Sequence, residues 1–159
     1  MEQVKLAKWI KLVLAGAGLC GLFVYAAILP AFGLSLVAQY PELGYCYRPW
    51  LIFLCLTGVP CYVALALGWR IAGNIGRNRS FCMENAGFMR WIAWLAAGDA
   101  AFFFLGNLAL WLGSMNHPSV MLASLLVVFA GVAVTIVAAA LSHLIRKAAD
   151  LQTQSDLTI

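Results

Sequence analysis

Four long apolar runs, separated by short polar stretches, organise this chain. They extend over about Trp9–Leu36, Pro49–Ile71, Met89–Leu112 and Pro118–Ser142. Each exceeds the roughly 20 residues a helix needs to cross a hydrocarbon core about 30 Å thick. The pattern predicts an all-α integral membrane protein, a four-helix bundle made by one domain over residues 1–159. The first run follows a basic start, MEQVKLAKWIK, but continues too far for the core of a cleaved signal peptide, so it reads as a retained span.

The polar stretches differ in what they carry. Two are turn-like: QYPELGYCYRPW is rich in interfacial aromatics, and SMNHPS places Pro118 at the first position of the fourth helix. The other two, a loop over 72–88 and an amphipathic tail over 143–159, hold charge. Of the ten Lys and Arg residues, Lys5, Lys8, Lys11, Arg70, Arg77, Arg79, Arg90, Arg146 and Lys147 fall on one side of the spans and only Arg48 on the other. This asymmetry predicts that both termini and the 72–88 loop are cytoplasmic, with Cys46 and His117 outside.

Composition narrows the function classes. With 64% hydrophobic and 10% charged residues and a mean hydropathy of +0.92, no room is left for a separate soluble domain. The formal charge of +4 does not indicate direct nucleic-acid binding, because the cations flank spans instead of lining a soluble face. The five cysteines show no metal-ligand spacing, and His117 and His143 lie on opposite sides, so neither a metal nor any other cofactor is expected. Without a nucleophile–base pair or a phosphate-binding glycine loop, the chain reads as non-enzymatic.

The densest polar segment is RNRSFCMENAGFMR, residues 77–90. Its Ser80-Phe81 followed by Glu84-Asn85, with an Arg-bearing lead-in, resembles the signature loop of a bacterial membrane family called domain of unknown function 2975. The ending AADLQTQSDLTI is similar to that family's C-terminus. One departure is Cys82, where relatives often place a Ser or Thr helix cap. The resemblance implies a small four-span bacterial membrane protein, often encoded beside a helix-turn-helix regulator, and implies no catalytic reaction.

Two site readings follow. In the first, Arg77, Arg79, Phe81, Glu84 and Arg90, with the tail beside them, form a surface that binds a cytoplasmic partner, the regulator that the family resemblance implies. In the second, Asp99 lies near mid-membrane, about 13 Å past Arg90 at 1.5 Å per residue. An acid there must face protein, and Tyr62 and Thr135 lie at matching depth as hydrogen-bond partners. That node is a packing element or, in an alternative reading, part of a small transporter or lipophilic-ligand site. Small residues at spacings of four, Ala17 and Gly21 and then Gly131, Thr135 and Ala139, fit close packing within the bundle and also a homodimer.

Overall fold

A computed structural model describes residues 2–156, and among these no strand occurs. Helix α1 spans Glu2–Phe23, a wide π turn follows at Val24–Ile28, and α2 (Leu29–Gln39) completes the first crossing. After a 3-10 turn at Pro41–Leu43 come α3 (Gly44–Gly76), α4 (Met83–Leu112) and α5 (Pro118–Asp156). Four helical units are long and apolar enough to cross a membrane. The chain is all-α, as its hydropathy pattern predicts.

The π turn has a local cause. Pro30 lacks the N–H that Ala26 would otherwise receive. The preceding turn widens, and the Leu29 N–H bonds to Val24 O five residues back.

Helix α3 starts well before Pro49, so Cys46 is buried inside it and not in a loop. Packing overrides the proline signal here: the Tyr47 ring sits against Gly33, only 2.6 Å from where a Cβ would stand. That contact holds 44–48 in helical register against α2. The helix also runs on through Pro60.

The polar stretches are shorter than the sequence pattern implies. α3 continues to Gly76 and α4 begins at Met83, so only 77–82 of the 72–88 loop lies outside helix. The tail is an unbroken continuation of α5, which its 39 residues make about 58 Å long, roughly twice the hydrocarbon thickness. Residues 157–159 lie outside the described range.

The helices pack in series. α1 lies on α3, with Gly68 against Leu14 and Gly76 against Ala7; α3 lies on α4; and α4 lies on α5. No Cα of α5 comes within 8 Å of α1, α2 or α3 among the described residues. The arrangement is therefore a row, open between its first and last members.

The α4–α5 seam is the most extensive contact. Besides Asn85 in its first turn, the buried positions of α4 are Ala86, Ala93, Ala100 and Asn107, each seven residues apart. They face buried Ser124 and Ala138, with Gly131 between these, also at sevens; a Cβ on Gly131 would stand 3.0 Å from Ala100 Cβ. This heptad of small residues lets the two backbones approach closely, as lipid-embedded helices require. Large side chains such as Leu126 and Phe129 of α5 point outward, toward lipid.

Candidate functional site

The basic end of the row carries the termini and the 77–82 loop, since Ala7 meets Gly76 and Ser142 Oγ donates to Ala86 O at 2.7 Å. α3 closes there in a Schellman arrangement. The N–H groups of Asn78 and Arg79 bond Ile75 O and Asn74 O, and Asn78 takes a left-handed φ of 59°. Asparagine tolerates that conformation better than most residues.

Below the loop lies a pair of buried asparagines. Asn74 Nδ2 donates to Asn85 Oδ1 at 2.8 Å and to Glu84 Oε2 at 3.2 Å. Asn85, fully buried, donates from Nδ2 to the carbonyls of Arg79 and Ser80 at 3.1 and 3.0 Å. Every polar atom of the Asn85 amide is thus satisfied, and the loop backbone is fixed from beneath. Cys82 is the helix N-cap and makes no side-chain cap bond. Asn85 takes over the anchoring of the segment.

The five predicted surface residues are all exposed. Arg77, Arg79 and Phe81 project from the fixed loop, and Phe81 leaves 58% of its surface uncovered. Glu84 is tied to Asn74 on the α3 side. Arg90 stands apart, two turns into α4, where it borders a cleft with α5 alongside His143 and Arg146. At the same level Arg70 lies over the Phe88 ring at 5.9 Å and Lys11 over Trp69 at 5.3 Å.

The mid-membrane residues differ from the sequence expectation. Asp99 is partly buried, but its partner is Cys61, whose Sγ stands 3.9 Å from Oδ2, while Oδ1 is buried without a hydrogen bond. Tyr62 turns the other way and donates to Gly18 O at 2.8 Å, against the small surface of Gly21. Thr135 bonds back to Gly131 O at 2.9 Å on its own helix. Depth along the axis places Tyr62 correctly, but the 100° rotation between neighbours gives the α4-facing position to Cys61. Tyr25 of the π turn and Thr57 of α3 are paired at 3.2 Å.

The opposite end repeats the asparagine device. Asn116 Nδ2 donates to Asn107 Oδ1 at 3.2 Å, and fully buried Asn107 donates to Phe103 O at 2.8 Å. Trp50 Nε1 and Tyr45 Oη donate to the turn carbonyls of Met115 and Ser114. His117 begins α5 as a cap, its Nδ1 accepting from Ser119 N–H at 3.3 Å. Neither asparagine pair is among the site residues read from the sequence. The available signal was an amide within or beside an apolar helix, where an unpaired polar group is costly.

Four apolar helices running alternately up and down, joined by tight polar turns, define a multi-pass membrane protein. The chain belongs to the family described as Protein of unknown function (DUF2975), whose model matches residues 33–159. The family read from the SFCMEN loop and the Asp-Leu-Thr-Ile ending is thereby borne out. The chain is also similar to an uncharacterised membrane protein, YoaS, of Bacillus subtilis (strain 168), with 24% identity over 152 residues covering 94% of each chain. No solved structure matches it. Its setting is a bacterial membrane.

Proposed function

We propose that the protein is a non-enzymatic membrane anchor whose basic end captures a cytoplasmic partner, a helix-turn-helix regulator of the kind that the family resemblance implies. One observation carries this reading: the Asn85 amide fixes the carbonyls of Arg79 and Ser80 while leaving Arg77, Arg79 and Phe81 exposed. A loop held in one conformation loses little entropy when a partner docks. The excess of Lys and Arg at this end supports placing it in the cytoplasm. Two guanidinium groups beside an aromatic ring suit an acidic surface with an apolar pocket, the aromatic supplying the anchor.

The test is co-purification of the regulator with the full chain in mild detergent. Phe81→Ala is expected to lower recovery about tenfold, a loss near 1.4 kcal/mol, and Arg77→Ala by less. Undiminished recovery from a chain scrambled over 77–82 that still inserts would refute the proposal.

A second reading rests on the unpartnered Oδ1 of Asp99. A carboxyl oxygen left without a bond at mid-membrane is a feature of ion or proton pathways as well as of packing nodes. Loss of proton-dependent flux in proteoliposomes on Asp99→Asn, with folding retained, supports transport. No flux in the parent chain removes that reading.

A further inference from the structure

The cleft bordered by Arg90 does not enter the reading above. It lies between α4 and α5 at the basic end and encloses about 390 Å³. Its floor is small and apolar, made by Ala86, Gly87 and Ala139, and its rim carries Arg90, His143 and Arg146. Neither arginine forms an ion pair among the described residues. Two uncompensated guanidinium groups and an imidazole thus converge on one concave site. Ser142 also borders it, but its hydroxyl is already bonded to Ala86 O. At Gly87 an added Cβ would meet nothing within 4 Å, so the glycine leaves open space at the centre.

A second depression lies farther along the same two helices, away from the basic end. It holds about 270 Å³ and is apolar, lined by Ala97, Ala101 and Phe104 of α4 and by Val128, Val132 and Thr135 of α5. The register shows that both lie on one flank of the seam. On α4, Arg90, Ala97 and Phe104 follow at intervals of seven, and on α5 so do Arg146, Ala139 and Val132. In closely packed helices residues seven apart lie on one stripe. The surface is a single track, cationic at its mouth and apolar for about 20 Å below it, taking 1.5 Å for each residue from Arg90 to Phe104. Trp91 and Trp94, exposed beside Arg90, mark the mouth as lying at headgroup level.

We infer that this track binds one phospholipid of the adjoining leaflet, with its anionic phosphate between Arg90, His143 and Arg146 and an acyl chain along Ala97, Phe104 and Val132. The chemistry selects the headgroup. Arginine presents planar paired donors that match phosphate oxygens, and basic clefts between membrane helices are suited to anionic headgroups. A choline headgroup would bring its own cation into a site that already holds two. Phosphatidylglycerol is therefore favoured over phosphatidylcholine. The inference is independent of the partner proposed above, because Arg77, Arg79 and Phe81 take no part in it.

Native mass spectrometry of the full chain, purified in neutral detergent and supplied with either lipid, tests it. Phosphatidylglycerol should be retained at least about tenfold better than phosphatidylcholine, and Arg90→Gln and Arg146→Gln should each remove about tenfold, the equivalent of one charge-assisted pair. Gly87→Leu fills the cleft without altering a charge and improves helix propensity, so it should also lower retention while the thermal midpoint holds. Lys8→Gln, distant from the cleft, serves as the control and should change nothing. Equal retention of the two lipids, or retention unchanged in both Arg146→Gln and Gly87→Leu, would overturn the inference. So would displacement of the bound lipid by soluble glycerol 3-phosphate, which would identify a site for free phosphate esters.

Discussion

The two turns that flank α4 are built alike and tied down differently. Each closes the preceding helix with a Schellman arrangement, Asn78 and Arg79 returning to Ile75 and Asn74 at one end, Ser114 and Met115 to Trp111 and Leu110 at the other. Each has a non-glycine residue at the left-handed position, Asn78 at 59° and Ser114 at 56°. Each is spanned by two asparagines bonded to one another across the turn. Their surroundings separate them. Around 113–117, Tyr45 and Trp50 of α3 reach over and occupy the turn carbonyls. Around 77–82 the Arg79 and Ser80 carbonyls are taken by Asn85 from below. The same backbone device makes a turn tied to a neighbouring helix at one end and a turn held only from its own following helix at the other, and the proposed recognition surface is the second.

The largest expected effect is all-or-none. In a chain with its native cysteines replaced, Arg79→Cys should react with an impermeant thiol reagent only after the cytoplasmic face is opened, and Ser114→Cys should react in intact cells. The reverse pattern would invert the whole comparison.

Next in size is the loss of the buried amides. Asn85→Ala strands two loop carbonyls and a donor of Asn74, and should cost about 2–3 kcal/mol of stability. By freeing the loop backbone it should also speed trypsin cleavage after Arg77 and Arg79, which are already exposed. Asn107→Ala, whose turn keeps the Trp50 and Tyr45 bonds, should cost closer to about 1 kcal/mol. Equal losses in thermal unfolding would mean that the covering side chains contribute nothing.

A smaller effect is read by double-mutant cycles. Asn74 and Asn85, at 2.8 Å, should couple by about 1 kcal/mol or more, and Asn107 and Asn116, at 3.2 Å, by less. The smallest effect concerns the left-handed residues. Ser114→Gly should stabilise by about 1 kcal/mol, since a serine is strained there, whereas Asn78→Gly should change stability by only a few tenths, at about 0.3 kcal/mol. Chemical unfolding in mixed micelles would check both.

Much of the fold could be read from hydropathy because membrane spans are defined by transfer energies that depend on composition alone. The start of α3 could not, since Pro49 is a strong local signal and the Tyr47–Gly33 contact that overrides it is tertiary. The seam of Ala86, Ala93, Ala100 and Asn107 stands in the sequence at regular sevens, yet alanine contrasts too weakly with leucine and valine for hydropathy to mark it. The candidate loop was legible in its exposed residues, Arg77, Arg79 and Phe81. Its foundation was not: Asn85 reads as one more first-turn polar residue until Asn74, eleven positions earlier, is brought against it. Asp99 was matched to the right level of α3 and to the wrong neighbour there, because level follows residue count whereas facing follows helix rotation.

The open row has a consequence for how the molecule is made. Among the described residues each span packs on the one synthesised just before it, so its helix neighbour is already present when that span leaves the ribosome and enters the bilayer. No late step has to bring the last helix back to the first. Such short-range connectivity favours rapid assembly with little time spent as a partly docked, association-prone intermediate. It also makes the protein divisible from its C-terminal side: a chain halted after α4 would lack one seam yet still hold the first three spans in their native order.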